Sequence, residues 1–432
     1  MKKYSDKNIK MTKTGGFEKK TDSVKIISCA AVICVFALIG LLFFARPSYS
    51  EDEKRNLTPF PSFTWDSFFS GEYFSQISLW YADTYPLREG MISVNSSIQS
   101  IYGDRDEQLI TPVGGTPAPD GGDVTDGGAV VQFEGIWLQK DTNTAFETYN
   151  FNKGNTDRYI SLINLAGEKL NGKADVYDIV VPLHYTYRLT DKQIAQIGSS
   201  DCAEAVDYIY SGLSDKVTSV DAHSQLWAHK DEYIYYRTDH HWTARGAYYA
   251  YVAFCKAKGT EPIALEDYER LQFDGFLGSL YANANKPTYL KDNPDYVEAF
   301  VPMGTNKIQV TDKNGNEQTY QVVNKNTDTW YPAAGAKYNC FIAGDNPISE
   351  IHNPDINDGS SVVIIKESYG NAFVPFLVDS YEYVYVIDYR YYSGDLTTFV
   401  EENGVDDVIF LNTVTVTSTE QRLDKIEALI GK

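Results

Sequence analysis

The first strong pattern in the chain is an unbroken apolar run. From Ile26 to Phe44 there is no charged side chain and a single hydroxyl. As a helix this run would rise about 28 Å, the thickness of a bilayer core. Phe43-Phe44-Ala45-Arg46 follows it, a poor signal-peptidase site, so the pattern predicts an uncleaved anchor over 26–44. Apolar residues return at helical spacing from Thr64 to Tyr102, through Phe68, Phe69, Tyr73, Phe74, Ile77 and Trp80. Pro86 divides this stretch and predicts a second helix over Leu87–Ile101. Residues 111–128 read TPVGGTPAPDGGDVTDGG, with almost nothing to bury, and predict a linker or exposed loop.

Beyond the linker, strand and helix patterns alternate. Asp178–Pro182, Val217–Asp221, Ser361–Ile365, Tyr383–Ile387 and Asp407–Leu411 are short runs rich in β-branched residues. Such runs suit a parallel sheet covered on both faces. Helical patterns fall at Asp157–Leu170, Ala203–Leu213, Thr243–Lys256, Asn371–Leu377, Thr397–Asn403 and Ser418–Ile430, with Thr243 placed as an N-cap. Residues 280–338 have a different texture. They contain Lys307–Asp312 and Glu317–Val322 around an Asn-Gly turn, a hairpin read here as part of an insertion on the sheet domain. The predicted order is a basic tail (1–25), an anchor (26–44), a helical juxtamembrane segment (45–110), the linker (111–128) and an α/β domain (129–432).

Charge adds a direction. The 432 residues carry a net charge of −21, which disfavours binding to nucleic acid. Residues 1–25 run the other way, with eight lysines against three acids, and Glu51-Asp52-Glu53 follows the anchor. This asymmetry places the N-terminus in the cytoplasm and the body outside. Aromatic residues make up 14% of the chain, 33 of them Tyr, which suits either sugar-binding surfaces or core filling. Of five cysteines, Cys29 and Cys34 lie in the anchor. Cys202, Cys255 and Cys340 have no metal or redox spacing, and permit one disulfide or none.

The candidate chemistry concentrates in two places. In Asp239-His240-His241-Trp242 an Asp two residues before a His can orient its imidazole, leaving Nε2 as a base. Ser368 follows the strand 361–365 and precedes a helix, where an open α/β sheet presents reactive groups. Asn412 and Arg390 follow the next two strands at the same edge and are candidate oxyanion or substrate donors. His240, Trp242 and Tyr369 flank these groups as candidate substrate contacts. Ser279 is a competing serine that follows no clear strand. Asp239, His240 and His241 could instead bind a metal, but no third His or Cys motif completes a site, and none is assigned.

Residues 233–243 (YIYYRTDHHWT), with Gly246–Tyr251, resemble the signature of the DHHW protein family, which is similar to the alginate O-acetyltransferases of the AlgJ/AlgX type. The resemblance extends through 341–347, 364–377 and 387–392, and to Glu53–Leu57 and Asp83–Arg88. It implies an SGNH-hydrolase-like domain, a flavodoxin-like three-layer α/β fold in which the Asp-x-His element precedes the serine, a circularly permuted order. Carried over by position, it implies Ser368 as nucleophile, His241 as base and Asp239 as its orienting acid. Where the family often has Asp before the serine, this chain has Glu367.

The resulting expectation is a membrane-held extracellular O-acetyltransferase acting on a cell-surface or secreted polysaccharide, with no bound cofactor. The resemblance further implies that acetyl arrives from a multipass membrane acyltransferase of the MBOAT type. A polysaccharide acetyl esterase with the same triad, and a non-catalytic polysaccharide-binding scaffold, are the alternatives.

Overall fold

The computed structural model describes residues 46, 49–50, 55–86, 110–113, 136–139 and 142–431. The expected tail, anchor and second juxtamembrane helix (87–101) lie outside them, as does most of the expected linker. Among the described residues no helix is long and apolar enough to cross a membrane. The chain forms two compact units, residues 1–50 with 56–91, and 51–55 with 92–432.

Among the described residues, the first unit holds the helices α1 (Trp65–Ser70) and α2 (Glu72–Asp83). Thr64 caps α1 by accepting from Ser67 N–H, and Gly71 takes the left-handed turn (φ +84°) that separates the two. Asp83 holds Thr58 through two hydrogen bonds of 2.7 and 2.9 Å.

Among the described residues of the second unit is a three-stranded antiparallel sheet, β1 (Ile110–Val113), β2 (Ile136–Gln139) and β3 (Thr144–Glu147). The start of the expected linker is therefore a strand; Thr111, Pro112 and Val113 pair with β2. The main elements follow in the order α3 (Lys153–Leu170), β4 (Asp175–Val181), α4 (Cys202–Ser211), β5 (Val217–Ser219), α5 (Ala244–Lys258), β6 (Glu269–Phe276), β7 (Asp295–Val301), β8 (Lys307–Thr311), β9 (Glu317–Gln321), β10 (Ile348–His352), β11 (Ser361–Lys366), α6 (Gly370–Leu377), β12 (Tyr383–Asp388), α7 (Leu396–Asn403), β13 (Asp407–Thr413) and α8 (Glu420–Ile430).

Eight strands form one sheet in the order β9-β8-β10-β12-β11-β13-β4-β5. The five from β12 to β5 are parallel, as the apolar runs predict. The sheet as a whole is mixed, because β10, β8 and β9 extend it antiparallel past β12. The hairpin expected from its Asn-Gly turn is present as β8 and β9, and it continues the main sheet at one edge. A strand pair that the patterning missed, β6–β7, lies outside that sheet.

Side-chain alternation splits the core into two layers. Ile179, Val181, Ile364, Ile409 and Leu411 face α5 and α6, whereas Val180, Val363, Ile365, Val408 and Phe410 face α3, α4, α7 and α8. Cys202, Cys255 and Cys340 are buried and free.

Candidate active site

The segment 237–243 is fixed before its side chains do anything. Asp295, at the start of β7, accepts from the backbone N–H of Arg237 (3.0 Å) and of Thr238 (2.7 Å), and from the Thr238 hydroxyl (2.7 Å). Thr243 then caps α5 by accepting from Gly246 N–H, as its position predicts. The residues between, Asp239 to Trp242, are held in a turn with both ends tied.

Within that turn His241 Nδ1 lies 2.6 Å from Asp239 Oδ1, and His241 Nε2 lies 2.8 Å from Ser368 Oγ, 127 positions along the chain. A carboxylate on Nδ1 fixes the proton there and leaves the Nε2 lone pair facing the serine hydroxyl. Burial alone would raise the Asp239 carboxyl. The charges of His241 and His240, with hydrogen bonds from His241 and Ser279, outweigh burial and hold it well below the usual carboxylate range. Ser368 follows β11 and is 7% exposed.

The two segments are clamped by contacts that the sequence did not suggest. Trp242 Nε1 donates to the Tyr369 carbonyl (2.9 Å), and the Tyr369 hydroxyl donates to the His240 carbonyl. Tyr338 lies flat on the His241 imidazole, with centroids 4.1 Å apart, and its hydroxyl donates to the Ser368 carbonyl (3.1 Å). Trp242 and Tyr369 are buried. They brace the turn against the serine segment, which corrects their assignment as substrate contacts.

Ser279, the rival serine, serves the same turn. Its backbone N–H donates to Asp239 Oδ2 (2.8 Å), and its hydroxyl lies 2.6 Å from His240 Nδ1. Gly278 permits this approach, since a Cβ there would lie 2.2 Å from the Asp239 side chain. Burial, then the charge of His241, pushes the His240 imidazole down to about 3, so it is neutral at physiological pH. Asp239, His240 and His241 do bring one possible ligand atom each within 4.8 Å of the others. The Asp239 oxygens and the His241 nitrogens are already engaged in the hydrogen bonds above.

Asn412 and Arg390 are placed elsewhere. Asn412 shares the strand face of Phe410 and Val408, so it faces α3, on the opposite side of the sheet from the histidine turn. Its amide donates to Tyr159 (3.3 Å). Arg390 is buried in a cluster of paired charges. It contacts Asp388 at 2.6 and 2.8 Å and Asp345 at 2.8 Å, while Lys366 Nζ reaches Asp345 and Asp388 at 3.1 Å and Asn371 at 2.7 Å. Asn412 is turned away from the serine, and Arg390 commits Nε and Nη2 to Asp388 and Asp345, its Nη1 being buried without a hydrogen-bond partner among the described residues. Strand alternation decides the first case and charge pairing the second. Ile342, Ala343 and Gly344 all have positive φ (48°, 58°, 81°), and this left-handed run delivers Asp345 into the cluster.

Glu367 accepts from Thr413 N–H (3.3 Å), with its other oxygen 3.5 Å from Ser368 Oγ. The 2.8 Å contact to His241 is the shorter and better path for the serine proton.

Comparison with known proteins follows this geometry. The DHHW protein family matches residues 53–130 and 132–387. A crystal structure of a DHHW family protein from Eubacterium siraeum superposes with a TM-score of 0.61 at 29% identity, covering 70% of this chain and 98% of that one. Bacillus cereus PatB1, solved with a sulfonyl adduct, superposes with a TM-score of 0.54 at 17% identity, covering 67% of this chain and 97% of that one. The O-acetyltransferase domain of Pseudomonas putida AlgJ aligns at 13% identity with a TM-score of 0.35, over 68% of this chain and 98% of that one. No match is found among curated proteins.

Proposed function

We propose, for a chain that belongs to the DHHW protein family, that residues 129–432 carry a Ser-His-Asp acyl-transfer centre that moves acetyl groups onto hydroxyls of a polysaccharide. One observation carries the reading: the continuous path from Asp239 Oδ1 through His241 to Ser368 Oγ, in steps of 2.6 and 2.8 Å. Such a path is what an alcohol nucleophile needs, a base within hydrogen-bond reach that is itself oriented by a third group.

In this mechanism Ser368 Oγ attacks the acetyl carbonyl while its proton passes to His241 Nε2. The donor's leaving oxygen takes that proton as it departs, and the acetyl group rests on Ser368 as an ester. A sugar hydroxyl then attacks the ester carbonyl and gives its proton to the same Nε2. Ser368 leaves with the proton returned, and the sugar carries the acetyl group. Asp239 stays ionised throughout and stabilises the imidazolium at each transfer.

The strand order supports an SGNH-like reading. Counted from the serine-bearing β11 through β12 and β13 and on to β4 and β5, the spatial order is 2-1-3-4-5. That is the flavodoxin-like order, entered by the chain at its fourth strand. We read this as the circular permutation that puts the histidine turn before the serine. On this reading the anchor at 26–44 holds the body outside the cell, and acetyl arrives from a multipass MBOAT-type membrane acyltransferase.

The test is intact mass of the protein after incubation with an activated acetyl ester or a sulfonyl fluoride. One acetyl or sulfonyl group should be gained, mapped to Ser368. Ser368→Ala should abolish the adduct and lower acetyl transfer by about 10⁴-fold. An adduct on another residue, or unchanged transfer by Ser368→Ala, would reject the reading.

A further inference from the structure

The exposed large apolar side chains of the described residues concentrate in the first unit. Phe60, Phe63, Trp65, Phe69, Phe74 and Leu79 leave 42–79% of their surface uncovered. Most of these rings belong to one cluster. Phe63 meets Trp65, Phe68 and Tyr73 with centroids 5.2–5.8 Å apart. Trp65 stacks on Phe69 (5.8 Å), and Phe68 reaches Phe74 (5.1 Å). The result is a contiguous aromatic face across the turn from α1 to α2. Exposed apolar surface of this kind marks contact with a membrane or a partner.

The seat of one arginine says which. Arg46 stands two positions beyond Phe44, where the apolar run ends. Its guanidinium lies over the rings of Trp80 (4.8 Å) and Tyr81 (5.2 Å) and donates to the Thr84 carbonyl (3.1 Å), at the end of α2. Phe60 packs edge-on against the same Trp80 (4.9 Å). Two residues of chain span at most about 7 Å. With the run 26–44 ending at a bilayer surface, the Arg46 seat therefore holds α2 at the headgroup layer. Tyr73 and Trp80 share a face of α2 two turns apart, so the ring cluster begins about 10 Å from that seat.

We infer that the aromatic face of α1 and α2 is a lipid-contact surface, whose rings enter the headgroup region of the outer leaflet beside the anchor. The inference rests on reading 26–44 as an anchor, and extends it from a tether to a docked unit. Trp and Phe suit that layer, where flat apolar rings leave water while any polar edge stays wet. Positions 46–86 carry six acids against three bases. Docking is therefore by apolar insertion, and attraction to anionic headgroups contributes nothing to it.

The experiment uses the full chain in phosphatidylcholine vesicles, with or without bromine atoms on the upper part of the acyl chains. The fluorescence of Trp65 is the difference between the parent and Trp65→Phe. That of Trp330, exposed on the second unit, is the difference from Trp330→Phe and serves as reference. Bromolipid should quench Trp65 by about twofold or more and leave Trp330 unchanged, and acrylamide should quench Trp65 about threefold less than Trp330. Neither result should change between low and high salt. Phe69→Ser with Phe74→Ser should abolish the bromolipid effect while far-ultraviolet circular dichroism stays the same, since both side chains are already exposed in the fold. If acrylamide reaches Trp65 as readily as Trp330 and bromine has no effect, the face meets water and the inference is overturned. If Trp65 is shielded from both quenchers, protein covers the face, either a second copy or another chain, and the inference is overturned as well. Alkaline carbonate tests the anchor separately. Release of a chain whose Trp65 had responded to bromine would reject the anchor and keep the lipid surface. A chain that resists release, with Trp65 in water, would keep the anchor and overturn the surface.

Discussion

At the scale of single residues, the site depends on how closely Gly278 approaches Asp239. Ser279 N–H can reach Asp239 Oδ2 because position 278 has no Cβ; a methyl there would lie 2.2 Å from both the Cβ and Oδ2 of Asp239. Gly278→Ala should therefore push the carboxylate off His241 Nδ1 while leaving the sheet untouched. A misplacement of about 1 Å at a reacting group costs about 10²-fold in rate. We expect that loss in kcat for acetyl transfer with little change in melting temperature, measured on the same preparation. An unchanged kcat would show that the approach is not needed. Asp239, His241 and Ser368 were legible in the sequence because each sits in a short, chemically distinctive motif. Gly278, Ser279, Asp295 and Tyr338 were not, because each acts on a residue far from it in sequence. Asn412 could have been placed by counting: it has the same strand parity as Val408 and Phe410, which belong to the other layer.

At the scale of elements, the ends of β11 and β12 are joined by a cluster of two cations and two carboxylates, and Ser368 stands two residues beyond one of its members. Lys366 is fully buried between Asp345, Asp388 and Asn371. Lys366→Met would remove one cation and leave the buried Asp388 and the partly exposed Asp345 to share Arg390. Breaking a buried pair in this way costs about 3–5 kcal/mol. The expected result is a large fall in the urea midpoint of the 92–432 unit at unchanged slope. A shift below about 1 kcal/mol would mean the cluster is solvated and does not hold the serine turn. The five parallel strands were readable because apolar runs buried on both faces leave a strong signal. Among the strands that were missed, β6, β7 and β10 have polar or charged residues among their apolar ones in place of an unbroken apolar run, and Gly275 lies where the register of β6 against β7 shifts. Their partners, not their composition, make them strands. The β8–β9 hairpin was found by its turn, yet its place at the sheet edge depends on β10 and could not be read locally.

At the scale of the whole molecule, strand order was out of reach of the patterning, because neither the entry point of the chain nor the pairing of β13 with β4 leaves a local trace. The same pairing creates a buried polar contact with consequences for stability. Asp178 of β4 accepts from Tyr159 of α3 at 2.6 Å, Asn412 of β13 donates to that same phenol, and Asp178 Oδ2 is buried without a partner. Burial pushes the Asp178 carboxyl up to about 7, against the partly opposing hydrogen bond from Tyr159. A carboxyl raised on folding makes the folded state bind more protons than the unfolded state between the two values. Its favourable contribution is full below about pH 4 and is lost as pH climbs to about 7. Asp239, held low, acts in the opposite direction and only as pH falls below the ordinary carboxylate range, so the two effects separate on the pH axis. Asp178→Asn keeps an acceptor for Tyr159 and removes the ionisation. Its melting temperature should match the parent near pH 4 and exceed it by a few degrees, about 2–4 °C for each kcal/mol recovered, at pH 8. Thermal melts at half-unit pH steps would show the two curves diverging between those limits. Parallel curves across that range would mean that Asp178 is ionised in the fold and that the β4–β13 contact holds a charge rather than a proton.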